Sequence, residues 1–262
     1  MALKALIFDV DGTLADTERD GHRVAFNAAF REAGLDWDWD VALYGKLLSV
    51  TGGKERMKHY VAEYNRAYQP PPDFDALVAR LHQAKTRHYT GALATGGIPL
   101  RPGVKRLIEE ARSAGLRLAI ATTTTPDNVT ALLEHSLGRG SQAWFEVIGA
   151  GDVVPKKKPA PDIYFWVLER LGLAAHDCLA FEDSENGVRS ARAAGLPTIV
   201  TINDYTREHD FSGACAVLSD LGEPDAPCSV LPGSLTNLGE AQHVDLAALR
   251  RWHAAATVGA AG

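Results

Sequence analysis

The chain has 262 residues, 46% of them hydrophobic, and a formal net charge of −6 with a pI near 5.8. This length and apolar content suffice for one large domain, or for a catalytic domain with a smaller insert, and exclude a disordered or fibrous chain. The acidic balance argues against a nucleic-acid partner, since binding through counterion release needs basic stripes.

The N-terminal Met1-Ala2-Leu3-Lys4 leads into KALIFDV, residues 4–10, an apolar run that holds Asp9 and breaks at Gly12. This pattern predicts a buried parallel strand delivering its last residues to a loop, and it is unlike a signal peptide. Between Leu14 and Leu100 the pattern changes to several helices with aromatic residues (Phe26, Phe30, Trp37, Trp39, Tyr44) and loops at Gly52-Gly53 and Pro70-Pro71-Pro72. An insert placed directly after the first strand is expected to stand over the strands' carboxyl ends, where α/β proteins bind ligands. Trp37 and Trp39 are assigned to packing within it.

From residue 104 the chain alternates. VKRLIEEARSAG has helical spacing of Val104, Leu107, Ile108 and Ala111, with Gly115 as its cap, and feeds the strand LRLAIA, residues 116–121. Further strands are predicted at 145–149, 178–181 and 198–202, separated by the helical patterns DIYFWVLERLG and ENGVRSARAAG. Alternation of this kind predicts a doubly wound, Rossmann-like parallel sheet. Beyond Thr206 the composition is loop-like until DLAALRRWHAAA, a last amphipathic helix followed by a small-residue tail expected to fray. Cys178, Cys215 and Cys228 lie far apart, which suggests neither a disulfide framework nor a zinc cluster, and no stretch approaches the roughly 18 apolar residues of a membrane span. A cytoplasmic protein without a membrane partner is expected.

Four sites carry chemistry. Asp9-Val10-Asp11-Gly12-Thr13 places two carboxylates at a strand's end, and Gly12 permits a curl that would give them different surroundings. An Asp-Gly turn is also ordinary surface-loop chemistry. A calcium loop is excluded, because an EF-hand has its glycine sixth. Glu182-Asp183-Ser184 follows the apolar run CLAF, adding two hard oxygen ligands of the kind Mg²⁺ prefers. Thr122-Thr123-Thr124-Thr125 follows LRLAIA ahead of a helix starting at Pro126, a place where a hydroxyl and backbone N–H groups can hold phosphate, or simply cap the helix. Lys156-Lys157-Lys158 precedes Pro159 and on charge pattern alone reads as a solvated loop. A phosphate monoester needs a positioned nucleophile, a proton donor for the leaving oxygen, and cations against the developing charge.

Taken in chain order, the four sites resemble the motifs of the haloacid dehalogenase-like hydrolases, over nearly the whole chain. The resemblance implies a Rossmann-like core from residues 1–15 and 100–262 and a helical cap over 16–99. It implies Asp9 as nucleophile, Asp11 as general acid and base, Thr122 as phosphate-binding hydroxyl and Lys158 as charge-stabilising lysine. Mg²⁺ would be held by the carboxylates of Asp9 and Asp183 and the carbonyl of Asp11, with Glu182 beside it. Because Asp11 is present, the dehalogenase branch is disfavoured.

ERDGHRVAFN (18–27), TGGKER (51–56), LDWDWD before Tyr44, GDVVPKKKPAPDIY (151–164) and Tyr205-Thr206-Arg207 resemble the CbbY-like branch of that family. That branch includes phosphatases of xylulose-1,5-bisphosphate, an inhibitor of the Calvin-cycle enzyme Rubisco. The resemblance implies Glu18, His22, Tyr44, Gly53, Lys54, Arg56 and Thr123 as substrate-pocket residues, with a phosphorylated sugar as the small-molecule partner and a monomeric enzyme. A bisphosphate leaves one phosphate remote from the cation, which requires further cationic partners such as Lys54. Three rival readings are a β-phosphoglucomutase with the same motifs, a phosphonate hydrolase using a cap lysine, and a catalytically silent binding protein, which would be expected to lack a motif residue.

Overall fold

The computed structural model describes residues 2–96, 98–232, 234 and 242–259. Six strands, β1 (Ala5–Phe8), β2 (Arg117–Ala121), β3 (Val147–Gly149), β4 (Cys178–Glu182), β5 (Thr198–Thr201) and β6 (Ala216–Leu218), form one parallel sheet in the order β3-β2-β1-β4-β5-β6. The chain winds outward from β1 through β2 to β3, then crosses to the other side at β4. The switch point therefore lies between β1 and β4.

Both sheet faces are buried, and period-two alternation divides each strand between them. Leu6, Phe8, Leu118, Ile120, Leu179 and Phe181 enter one hydrophobic cluster, which is covered by α5 (Val104–Ser113), α6 (Pro126–Leu137) and α9 (Leu246–Gly259). Ala5, Ile7, Ala119, Ala121, Cys178 and Ala180 enter the other, covered by α7 (Asp162–Leu171) and α8 (Glu185–Ala193). The second face is made of small side chains, and Ile163, Tyr164 and Val167 of α7 fill the space they leave. Gly115 has φ +74°, as its predicted capping role requires.

The predicted strands all form. β6 was not foreseen: it has three residues and lies inside a segment whose composition reads as loop. The three cysteines are free and buried. Of the expected frayed tail, α9 extends to Gly259 and residues 260–262 lie outside the described residues. Among the described residues, no helix is long and apolar enough to cross a membrane.

Between β1 and α5 stand α1 (Arg23–Glu32), α2 (Val41–Leu47), α3 (Gly53–His59) and α4 (Phe74–Ala94). They enclose a third cluster that includes Phe26, Phe30, Trp37, Trp39, Tyr44 and Tyr60. Trp39 lies between Phe26 at 4.8 Å and Phe30 at 4.9 Å, so the tryptophans serve packing as predicted. Ala15 bridges to Leu100 and the Arg101 N–H bonds the Leu14 carbonyl, so the chain leaves and re-enters the sheet domain side by side.

Buried Asn27 fastens the loop before α2: its Nδ2 donates to the Trp39 carbonyl at 3.0 Å and its Oδ1 accepts from the Trp39 N–H at 2.9 Å. Arg23 also reaches that carbonyl, so removal of Asn27 strands the N–H alone. An unpartnered buried donor costs about 1–3 kcal/mol. Asn27→Ala is expected to lower the unfolding free energy by that amount, read in a urea titration as a lower midpoint with an unchanged slope.

Candidate active site

The strand register brings the motifs together. Phe8 pairs with Ile120 on one side and Phe181 on the other, so Asp9, Ala121 and Glu182 lie level at the carboxyl edge. Lys158 reaches all three: its Nζ donates to Asp9 Oδ1 at 2.7 Å, to Glu182 Oε1 at 2.7 Å and to the Ala121 carbonyl at 2.9 Å. Tyr164 of α7 donates its hydroxyl to the same Glu182 oxygen. Lys158 is therefore buried with all three ammonium protons placed, unlike the solvated loop its charge run suggests.

Three carboxylates crowd this point. Oxygens of Asp9, Glu182 and Asp183 lie within 4.8 Å of one another, all three side chains buried. Burial pushes Asp9 up to about 7, with Glu182 and Asp11 adding to the rise and Lys158 opposing it. Asp183 is also held well above the usual carboxylate range, by burial and by Asp9 and Glu182. One lysine charge does not balance three acids, and a cluster of hard oxygens at this spacing fits a divalent cation of the Mg²⁺ type.

Gly12 makes the room. It has φ +83°, and a Cβ there would overlap Asp183 Oδ2 and crowd Asn203 Nδ2. The backbone curls as the pentapeptide suggested, with the Gly12 N–H on the Ala15 carbonyl at 2.8 Å and the Leu14 N–H on the Val10 carbonyl.

The curl sends Asp11 to different neighbours. Its Oδ1 accepts from Thr17 Oγ1 at 2.5 Å and pairs with His22 Nε2 at 2.7 Å. His22 Nδ1 in turn lies 2.7 Å from Lys85 Nζ. A charged lysine can only donate, so His22 Nδ1 accepts and Nε2 carries the proton it gives to Asp11. Burial alone would raise Asp11, but His22, Thr17 and Lys85 outweigh it and hold the carboxyl below its usual range. Lys85 itself is pushed down to about 8 by burial, which the attraction of Asp11 and Glu18 only partly offsets. The two aspartates, one residue apart, are displaced in opposite directions.

A cavity of about 290 Å³ opens over Asp9, lined among others by Asp11, Glu18, Arg56, Thr122, Thr123 and Lys158. Thr122 Oγ1 accepts from the Thr124 N–H at 3.3 Å and Asn128 ties down the Thr124 hydroxyl, which fixes the threonine turn ahead of α6. Arg56 is buried, its Nη1 donating to Tyr44 Oη at 2.8 Å and standing 3.7 Å from Glu18 Oε2. Tyr44 donates to Glu18 Oε2 at 2.5 Å. Glu18 and Arg56 therefore face the cavity, while Tyr44 stands behind and holds both.

Not every predicted pocket residue joins them. Lys54 Nζ is bound to Asp152 Oδ2 at 2.5 Å across the seam between α3 and the sheet domain, and with Gly53 it lines a neighbouring cavity. Lys157, next to the key lysine, makes the reciprocal contact to Glu55 at 3.0 Å. His22 lies behind Asp11, beside a small cavity shared with Lys85, His82 and Asn128.

Sequence reasoning missed Lys85, Thr17, Tyr164 and Asn203. Lys85 carried a signal: with Val78, Leu81 and Tyr89 it falls on the buried stripe of α4, so a lysine interrupts an apolar face. Tyr164 and Asn203 had none, since their partners are distant in sequence.

A doubly wound parallel sheet whose switch point gathers buried carboxylates, a lysine and a threonine turn has the arrangement of a phosphohydrolase. Residues 3–195 match the family described as haloacid dehalogenase-like hydrolase. The chain is 53% identical to the plasmid-borne protein CbbY of Cupriavidus necator over 96% of this chain and 97% of that one. Among solved structures it superposes on CbbY of Rhodobacter sphaeroides, in a mutant form in complex with xylulose-1,5-bisphosphate, with TM-score 0.77 and 44% identity over 85% of this chain and 96% of that one. A putative β-phosphoglucomutase of Thermotoga maritima is more remote, at TM-score 0.60 and 26% identity over 82% of this chain and 94% of that one. The chain belongs to the haloacid dehalogenase-like hydrolase family and is a phosphatase of the CbbY type.

Gly12→Ala is expected to lower phosphatase activity by at least tenfold and the melting temperature with it, because the added Cβ displaces Asp183 and the backbone favours glycine. Steady-state phosphate release and a thermal melt on one preparation check this. A second expectation concerns pH. Burial pushes His82 down to about 4, with Lys85, Lys54 and Lys157 adding to the fall and Asp152 opposing it. The unfolded chain, with the ordinary value of 6.5, binds more protons between about 4 and 6.5, so stability declines as pH falls through that window. A His82→Gln variant is expected to show a shallower decline, measured as melting temperature against pH.

Proposed function

We propose that this phosphatase hydrolyses a phosphorylated sugar, with xylulose-1,5-bisphosphate as its substrate and xylulose-5-phosphate as its product, in a Mg²⁺-dependent reaction through an aspartyl-phosphate. The observation that carries the reading is Arg56, a buried cation held by Tyr44 and Glu18 in the same cavity as Asp9. It adds a cation that is not part of the carboxylate cluster, beside Glu18, where a substrate's second phosphate requires one. The relative of Rhodobacter sphaeroides solved in complex with xylulose-1,5-bisphosphate supports the same choice.

In this reading the Asp9 carboxylate attacks phosphorus, and the bond to the sugar oxygen breaks as the new oxygen–phosphorus bond forms. The carboxylates of Asp9 and Asp183 and the carbonyl of Asp11 would hold Mg²⁺, which neutralises phosphoryl charge when bound. Lys158 keeps Asp9 oriented and adds its own charge. Thr122, Thr123 and the turn at the start of α6 bind the phosphoryl oxygens. Asp11, ionised in the free site, takes the proton of His22 Nε2, which Lys85 replaces at Nδ1, and passes it to the leaving oxygen; it later takes one back from the water that attacks the aspartyl-phosphate. His22 and Thr17 set its orientation, and the His22–Lys85 pair sets its charge. Residues 16–99 act as the cap that selects substrate, with Glu18 and Arg56 in direct contact and Tyr44, His22, Gly53 and Lys54 behind or beside them. The chain acts as a monomer in the cytoplasm, where its three buried thiols stay reduced. Activity on this inhibitor would place the enzyme beside Rubisco and the Calvin cycle.

Release of inorganic phosphate from xylulose-1,5-bisphosphate, xylulose-5-phosphate and β-glucose-1-phosphate, with and without Mg²⁺, tests this. A kcat/KM at least a hundredfold higher for the bisphosphate is expected, with no turnover after EDTA and none in Asp9→Asn. Equal rates on all three sugars would overturn the substrate. Glucose-6-phosphate formation that depends on a bisphosphate primer would instead identify a mutase.

A further inference from the structure

The turn after β5 lies outside the four motifs, yet it reaches the carboxylate cluster. Asn203 uses its side chain in two directions. Its Oδ1 accepts from the Tyr205 N–H at 2.9 Å, which closes the turn on itself. Its Nδ2 points the other way and donates to Asp183 Oδ2 at 2.7 Å. The turn has no need of that second bond, since the Asn203 N–H also bonds Thr206 Oγ1 at 3.0 Å and the Thr206 N–H returns to the Asn203 carbonyl at 3.1 Å.

The base of the turn is held as well. Buried Arg101 donates to the carbonyls of Gly12, Thr201 and Ile202, so one guanidinium joins the loop that carries Asp11 to the strand end that carries Asn203. The Ile202 N–H bonds the Leu218 carbonyl of β6. Asn203 is thus a donor on a braced backbone, aimed at a buried carboxylate whose oxygens cluster with those of Asp9 and Glu182. Gly12, on the opposite side, leaves the space that lets the Asn203 amide and Asp183 meet.

We propose that Asn203 is a positioning residue for the cation: by binding Asp183 Oδ2 it fixes the carboxylate in the orientation that takes Mg²⁺. This rests on the reading of Asp9 and Asp183 as the cation site. Partners behind a metal ligand typically set affinity by a factor of about 10–100. The amide suits this position because it donates without charge. A lysine would cancel the negative charge that attracts Mg²⁺, and a carboxylate would repel Asp183.

Asn203→Ser separates the two arms of the side chain. Serine can still accept from the Tyr205 N–H, as such turns allow, but it is too short to reach Asp183. Asn203→Leu removes both arms at similar size. Mg²⁺ is titrated by calorimetry into wild type and both variants without substrate, and the melting temperature of each metal-free protein is recorded. The expected result is a Mg²⁺ dissociation constant at least tenfold weaker in both variants, with the metal-free Asn203→Ser protein melting within 2–3 degrees of wild type, roughly the shift of a sub-kilocalorie surface change. A matching rise in the Mg²⁺ concentration for half-maximal phosphate release is expected. Wild-type affinity in either folded variant would overturn the proposal and reduce Asn203 to a loop-closing role. Failure of the wild type itself to bind Mg²⁺ would overturn the cation site, and the inference with it.

Discussion

The ammonium of Lys158 is the point on which the site depends. It joins the ends of β1, β2 and β4 by bonding Asp9, the Ala121 carbonyl and Glu182 within one buried space. Removing one partner of a buried ion pair leaves the other uncompensated, at about 3–5 kcal/mol. Two carboxylates buried at the switch point need such a cation as a partner if both are to be charged. The small side chains of the face beneath, Ala119, Ala121 and Ala180, let α7 lie close enough for Tyr164 to complete the Glu182 environment.

Lys158 does not finish the balance. Asp9, Glu182 and Asp183 bring three acids to one lysine, and burial keeps water from screening them. Asp9 is consequently displaced toward its neutral form. Asp11 is displaced the other way by Thr17, His22 and Lys85. Two carboxylates one residue apart are thus given opposite tendencies by environment alone, and a divalent cation beside Asp9 would be what returns it to the ionised form. The curl at Gly12 is what separates the two environments, since on a regular strand both side chains would share one face.

The sheet was legible because buried parallel strands must read as continuous apolar runs, and KALIFDV, LRLAIA and CLAF are such runs followed at once by polar residues. The ends of these runs therefore place Asp9, Thr122, Glu182 and Asp183 at one edge of the sheet. Lys158 was harder: in sequence it is the third of three lysines, and of these only Lys158 is tied into the carboxylate cluster, while Lys157 bonds Glu55 and Asp152 at the seam with the helical insert. Lys54 faces a neighbouring cavity, because Asp152, nearly a hundred residues away, takes up its charge. Asn203 and Arg101 were invisible, being polar residues in segments without periodicity whose partners are set by the tertiary fold.

Asp11 ties the chemistry to the helical insert in a way that neither domain could supply alone. Its ligands Thr17 and His22, and Lys85 behind them, come from the segment between residues 15 and 100, while Asp11 itself is carried by the end of β1. Any movement of that segment relative to the sheet must stretch those bonds or carry Asp11 with it. The same seam is closed elsewhere by Lys54 on Asp152, Lys157 on Glu55 and Asn186 on Ser49, contacts that are exposed and so individually weak. The helical insert is thus tied to the sheet by buried bonds at Asp11 and by weaker, exposed ones at the rim.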